Sequence, residues 1–170
     1  MKKIFLSLML MVAAVAANAQ KFALVDMEYI LKNVPAYERA NEQLNQISKK
    51  WEAEVEALLT ESESMYKKYQ SESVFLSDAQ KTKAEEAIMA KEKAASDLKK
   101  KYFGSEGELF KKRQSLMAPI QDEIYNAVKD ICDQKGYQLV LDRASGGSII
   151  FASPKIDISD EVLQKLGYSY

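Results

Sequence analysis

The sequence predicts a mainly α-helical protein in which a long antiparallel helical hairpin is inserted between the strands of a small β body. Three observations carry this prediction. Apolar residues recur at every third or fourth position through most of residues 37–131, which is a helical period. The period changes to two over residues 137–142, which is typical of a strand. Another strand-like run, KFALV, occupies residues 21–25.

The first 19 residues predict a secretory signal peptide. Lys2 and Lys3 form a positive start, residues 4–16 are apolar and uncharged, and ANA at residues 17–19 matches the small-x-small cleavage pattern. The apolar run is shorter than the roughly 20 residues that span a bilayer. Position 20 is Gln20, which cannot accept lipid as a cysteine would. We therefore expect an exported chain with no direct membrane span.

The composition of the mature chain narrows the function classes. Cleavage after Ala19 leaves 151 residues with 22 basic and 25 acidic side chains, a net charge of −3. This balance argues against a nucleic-acid partner, because phosphate backbones require a basic surface. Histidine is absent and Cys132 is the one cysteine, so the usual catalytic triads and zinc sites cannot be assembled.

No glycine-rich phosphate loop of the form GxxxxGK[ST] occurs in the sequence. We therefore predict no catalytic, metal or cofactor-binding residues, and a protein that is not an enzyme. Cys132 lies beside Ile131 at a helical apolar position and is interpreted as a core residue.

Short elements are predicted before the hairpin. Asp26 follows the first strand and suits the N-cap of a short helix over residues 27–33, because its carboxylate can accept from free backbone N–H groups. Pro35 suits the first turn of the next helix, where a missing N–H leaves no hydrogen bond unmade.

The helical arm is predicted to span residues 37–131, with its tip near residues 71–77. Its outgoing apolar stripe is flanked by Lys and Glu, which is the narrow seam of a coiled coil. The segment QSESVFLSDAQ interrupts the stripe, and Ser77 with Gln80 predicts a capping box that begins the return helix. At about 1.5 Å per residue, an arm of ~40 residues is ~60 Å long.

Three residues weaken the return helix. Gly104 and Gly107 are each unfavourable in a helix by about 1 kcal/mol, and Pro119 predicts a break or bend. Two interpretations stay open: a continuous return helix that completes a two-helix hairpin, or a further break at the glycines that gives a three-helix bundle. The hairpin is favoured, because near-helical spacing across the glycines is kept by Tyr102, Phe103, Leu109 and Phe110.

Residues 20–36 and 132–170 are predicted to form the β body. After Lys135 and a C-cap glycine, Gly136, residues 137–142 and 148–152 predict a β-hairpin that turns at Gly146-Gly147. Ser159 suits the N-cap of a terminal helix over residues 160–166.

Strands this short bury little surface, so they must pack on the helices of their own chain or be shared among several chains. The long thin arm favours sharing. The predicted oligomerisation core comprises Phe22, Leu24, Tyr137, Leu139, Leu141, Ile149 and Phe151.

Both ends of the chain resemble the Skp/OmpH family of periplasmic chaperones. The matching segments are FALVDMEYILKNVPAYERA, KGYQLVLD and IIFASPKIDISDEVLQKL. The resemblance implies a periplasmic homotrimer in which three chains complete a small β-barrel body and three helical arms surround a cavity. It also implies ATP-independent holding of unfolded outer-membrane or other envelope proteins. Well-known members are strongly basic whereas this chain is slightly acidic, so lipopolysaccharide is not assigned as a partner.

A holdase of this kind needs weak, repeated contacts, and aromatic and Met side chains offer adaptable contact area. The client-binding candidates are Tyr66, Tyr69, Phe75, Leu76, Met89, Tyr102, Phe103 and Phe110. We expect Tyr66, Tyr69 and Phe110 to lie in the coiled-coil seam. Phe75 and Leu76 are expected to be exposed at the tip.

Three further residues are given structural roles. Trp51 lies on the main stripe and is interpreted as a packing residue, and Asp26 and Asp142 as a helix cap and a turn residue. A second functional hypothesis stays open, namely a structural or adaptor coiled coil that spaces folded components of the cell envelope.

Overall fold

The computed structural model describes residues 21–146 and 149–168, which form two compact units. The body unit comprises residues 21–34 and 122–168, apart from 147–148, and the arm unit comprises residues 35–121. Long helices and one small sheet confirm the predicted fold class. The predicted signal peptide lies outside the described residues.

The sheet of the body unit has two parallel strands, β1 (Lys21–Val25) and β2 (Tyr137–Asp142). The predicted hairpin partner of β2 is wrong: residues 149–152 form no strand, and Ser148 lies outside the described residues. A hairpin of two strands is marginal without a third layer, and β2 finds its backbone partner in β1. The other edge of β1 is covered where the Ile158 N–H donates to the Leu24 carbonyl at 2.9 Å.

Three helices complete the body unit: α1 (Met27–Lys32), the C-terminal part of α4 (Glu108–Lys135) and α5 (Ser159–Lys165). Asp26 caps α1 as predicted, with its carboxylate accepting from the Tyr29 N–H at 2.9 Å. The largest fully buried side chains of this unit are Ile30, Val34, Ile124, Ile158, Val162 and Leu163. Cys132 is half-buried, and this burial raises the pKa of its thiol.

The predicted cap at Ser159 is wrong, because Ile158 holds the N-cap position of α5 and contributes no side-chain hydrogen bond. The Ser159 hydroxyl instead accepts from the Asp26 N–H at 2.8 Å and donates to the Asp157 carboxylate at 2.6 Å. Ser159 therefore joins the start of α5 to the β1–α1 junction.

The arm unit contains α2 (Pro35–Glu72), a short 3₁₀ turn (Ser73–Phe75), α3 (Asp78–Phe103) and the first part of α4. The predicted tip and the Ser77–Gln80 capping box are confirmed. Contacts between α2 and α3 confirm an antiparallel hairpin: Lys91 Nζ lies 2.9 Å from Glu61, and the Tyr69 hydroxyl donates to Glu85. None of the helices within residues 21–146 and 149–168 is long and apolar enough to cross a membrane.

The return path of the arm is broken at residues 104–107, so the favoured continuous return helix is wrong. The backbone at Gly104 is extended, with ψ 168°. A Cβ at Gly104 would lie 2.5 Å from the Lys100 carbonyl oxygen, and one at Gly107 would lie 2.7 Å from that of Tyr102. Both glycines are therefore required by close backbone approaches. Of the break or bend predicted at Pro119, the break is wrong, since α4 runs through it.

Candidate functional site

The seam between α2 and α3 is narrow. Its buried side chains include the small residues Ser62 and Ala95 beside Val55 and Ile88. Small residues bring the two helices together but cover little of the surface on either side. Larger apolar side chains next to the seam are consequently left exposed to solvent.

An aromatic cluster holds α2 and α3 together near the glycine break. The Trp51 and Tyr102 rings are stacked at 4.5 Å between centroids, and Phe103 packs edge-on against Trp51 at 6.5 Å. The Tyr102 hydroxyl donates to Glu54 at 2.6 Å, which raises the pKa of Tyr102. The packing role predicted for Trp51 is confirmed. Tyr102 and Phe103 lie in the same cluster and are half-buried.

The other client-binding candidates divide into exposed and packed side chains. Tyr66 and Phe110 are 49% and 44% exposed, so their predicted seam positions are wrong. Tyr69 is half-buried between the helices, as predicted. Phe75 is 85% exposed at the tip, as predicted, whereas Leu76 is half-buried and lines a 330 Å³ cavity between the ends of α2 and α3. Met89 is 60% exposed.

Two exposed apolar residues of the arm unit are not among the client-binding candidates predicted from the sequence. Leu59 directly follows the seam residue Leu58 and is 45% exposed, and Val74 precedes Phe75 and is 79% exposed. The spacing that defines the seam could have identified Leu59, because a residue one position past a narrow seam turns toward its edge.

Leu59, Tyr66 and Met89 share one side of the hairpin, which we call the apolar face. Each follows a seam residue by one position, and in antiparallel helices these positions turn toward the same side. The contact between Tyr69 and Glu85 fixes the alignment of α2 with α3 and brings Tyr66 level with Met89. The arm therefore presents an aromatic and a thioether side chain at the same height.

The body unit exposes a second apolar surface. Phe22 lies opposite Leu139 in the sheet, and the two side chains are 47% and 46% exposed; Leu141 is 45% exposed. Beyond β2, Ile150 and Phe151 are 100% and 85% exposed. We call these residues the body surface.

Among the other predicted body-core residues, Leu24 is buried, and Tyr137 and Ile149 are half-buried. The outer edge of β2 has no strand partner within the described part of the chain. The single chain thus leaves both a strand edge and its neighbouring apolar side chains uncovered.

Charged side chains tie the body unit together where its segments meet. Arg143 lies 3.0 Å from Asp26 and 3.2 Å from Asp157. Asp142 accepts from the Met27 N–H at 3.1 Å and the Ala144 N–H at 2.9 Å, which confirms its predicted turn role. Hydrogen bonding from the Tyr29 N–H, followed by Arg143, lowers the pKa of Asp26.

Comparison with known proteins gives consistent matches along most of the chain. Residues 21–166 match the model of the family described as outer membrane protein (OmpH-like). The chain is 24% identical to the chaperone protein Skp of Yersinia enterocolitica, over 91% of this chain and 90% of that protein. It is 26% identical to the chaperone protein Skp of Photorhabdus luminescens, over 76% and 77% of the two chains.

A solved OmpH-like structure from Caulobacter crescentus CB15 has the same fold, with a TM-score of 0.71 at 14% identity. The match covers 89% of this chain and 86% of that one. The family match over residues 21–166 shows that the chain belongs to the Skp/OmpH family of outer membrane chaperones.

Proposed function

We propose that the protein is an ATP-independent holdase that binds unfolded outer-membrane proteins in the periplasm and prevents their aggregation. The observation that carries this proposal is the apolar face, where Leu59, Tyr66 and Met89 stand exposed beside a seam too narrow to cover them. Relatives named as chaperones support it. Exposed side chains of this type can contact many unrelated unfolded chains without a shaped pocket.

The working assembly in this proposal is a homotrimer in which three chains complete a β-barrel and the arms enclose a cavity for clients. The body surface supports it, because Phe22, Leu139 and Phe151 are exposed in the single chain. Two strands alone are marginally stable, and an unpaired edge beside apolar side chains favours pairing with another chain.

The client-binding candidates take different roles in this mechanism. Tyr66, Met89, Phe75 and Phe110 are exposed and would contact the client directly. The half-buried candidates pack inside the arm or line its cavity, so their substitution should act mainly through arm stability; they are Tyr69, Leu76, Tyr102 and Phe103.

The proposal is tested by light scattering as a denatured outer-membrane β-barrel protein is diluted into buffer. The mature chain should suppress aggregation at stoichiometric amounts without ATP. The double variant Tyr66→Ser/Met89→Ser should require severalfold more protein for equal protection. Tyr125→Ser is the matched control, since it removes an exposed aromatic side chain from the body unit.

Absence of protection by the unmodified chain in excess would exclude the holdase. Capture of one folded envelope protein by the same chain would then favour the adaptor hypothesis. Equal loss of protection in the double variant and in Tyr125→Ser would show that the apolar face is not the contact surface.

A further inference from the structure

Acidic side chains surround the apolar face of the arm. The alignment of α2 with α3 and the helical period place six charged side chains on the same side of the hairpin as Leu59, Tyr66 and Met89. Five are acidic and one is basic: Glu52, Glu56, Glu63, Glu85, Glu92 and Lys99. The exposed apolar groups of this face therefore lie in a negative field.

Four of these carboxylates form no ion pair within the described chain, and one of the four, Glu52, accepts a hydrogen bond from Ser48. Glu63 pairs with Lys67, and Glu85 accepts a hydrogen bond from Tyr69. Glu56 and Glu92 form no ion pair among the described residues. Glu92 and Glu63 lie at the same level of the hairpin, about one helical turn closer to the glycine break than Tyr66 and Met89. Carboxylates gathered on one side of the hairpin attract a cation by Coulomb interaction.

The opposite side of the hairpin differs both in its exposed apolar side chains and in its charge. It carries Lys68, Lys83 and Lys101 together with alanines, and its carboxylates Glu61 and Asp97 each pair with a lysine. None of the large exposed apolar side chains of α2 and α3 lies there. Exposed apolar groups and excess negative charge therefore occur together on one side.

We propose that the apolar face selects unfolded polypeptide segments in which lysine or arginine side chains flank aromatic or aliphatic ones. This inference rests on the proposed holdase function and names the class of segment that the arm prefers. The apolar residues supply contact area, and Glu56 and Glu92 supply charge complementarity, which steers association and suppresses binding of acidic segments.

Binding is tested by fluorescence anisotropy with three labelled, disordered peptides of equal length and identical aromatic and aliphatic residues. They differ only in carrying lysine, glutamine or glutamate at the intervening positions. The mature chain should bind the lysine peptide about threefold to tenfold tighter than the glutamine peptide, and the glutamate peptide most weakly. High salt should reduce these differences, since exposed charges are screened beyond about 10 Å at 0.1 M.

Matched variants assign the preference to this face. Glu56→Gln/Glu92→Gln should remove most of the preference for the lysine peptide while leaving the glutamine peptide unaffected. Glu86→Gln/Asp97→Asn removes two carboxylates from other sides of α3 and should leave the preference in place.

The outcomes separate this inference from the holdase function. Equal affinity for all three peptides, with aggregation suppression intact, would overturn the charge preference alone. A clear preference without aggregation suppression would support the preference and contradict the holdase. An equal effect of both variant pairs would overturn the assignment to this face.

Discussion

Single polar residues decide how the segments of the body unit are joined. Asp26 caps α1, pairs with Arg143 and donates its backbone N–H to Ser159. One residue thus connects β1 to α1, to the end of β2 and to the start of α5. Its pKa is lowered in the folded protein, first by the hydrogen bond from the Tyr29 N–H and also by Arg143.

Substitutions of Asp26 should separate its two side-chain contacts. Asp26→Ala removes the cap and the ion pair and should destabilise the chain by about 1–2 kcal/mol at neutral pH. Asp26→Asn keeps the cap and should cost less, because an ion pair with a half-exposed arginine contributes at most about 1 kcal/mol. Urea unfolding followed by circular dichroism measures both. Equal costs would show that the charge, not the cap, dominates.

The pH dependence of stability has a definite sign at Asp26. Because its pKa is lower folded than unfolded, its charge stabilises the fold above about pH 4, and this contribution is lost as pH falls through the folded pKa. The stability difference between the unmodified chain and Asp26→Asn should therefore shrink on acidification. A constant difference down to acidic pH would contradict this.

The Trp51–Tyr102 stack provides an optical test of arm packing, because Trp51 is the one tryptophan of the sequence. Tyr102→Ala should shift Trp51 emission to longer wavelength and destabilise the arm by about 1–3 kcal/mol, through the lost stack and the lost hydrogen bond to Glu54. Tyr102→Phe is the control: it keeps the ring and should leave the emission nearly unchanged. An unchanged emission in Tyr102→Ala would contradict the stacked arrangement.

At the scale of elements, the glycine break was the hardest feature to predict. The intrinsic cost of glycine in a helix pointed to it, but the apolar spacing around Gly104 and Gly107 pointed to a continuous helix. The break depends on close backbone approaches, since Cβ atoms at both glycine positions would clash with carbonyl oxygens of the preceding turn. A one-dimensional pattern does not contain that information.

Gly107→Ala tests whether the break is required. If helix propensity dominated, alanine would stabilise the arm by about 1 kcal/mol. Because its Cβ would lie 2.7 Å from a carbonyl oxygen, we expect destabilisation of about 1–3 kcal/mol instead. Ser105→Ala, an exposed change between the two glycines, should have little effect. Thermal unfolding followed by circular dichroism distinguishes the two, and a stabilised Gly107→Ala would contradict the requirement.

The tip and most of the caps were predictable, because local hydrogen bonding determines them; the exception is Ser159, whose hydroxyl bonds Asp26 and Asp157 instead. Asp26, Pro35 and the pair Ser77–Gln80 occupy their predicted places. The strand partner of β2 was not predictable from the sequence, because strand pairing joins segments that lie far apart in the chain. The alternation in residues 137–142 does not identify β1 as that partner. The exposure of Tyr66 was not predicted. The apolar stripe changes its spacing once along α2, so a seam residue and the residue next to it are hard to tell apart in the sequence.

At the scale of the whole molecule, the body surface should be buried by other copies of the chain. Leu139→Lys places a charge among exposed apolar side chains and should convert a trimer into smaller species. Gln138→Lys is the matched control, because it adds the same charge at an exposed neighbouring position of β2. Sedimentation velocity over a range of concentrations measures both. A monomer at all concentrations in the unmodified chain would contradict the shared body.

The parallel pairing of β1 with β2 also sets an order of folding. Because these neighbours lie near opposite ends of the chain, the pairing has high contact order and forms slowly, whereas the α2–α3 hairpin depends on contacts between adjacent segments. β1 precedes the entire arm in the sequence, and its strand partner is formed by residues 137–142, which follow the arm. A chain that stops short of residue 137 lacks β2, so it contains the whole α2–α3 hairpin but cannot form the β1–β2 pair.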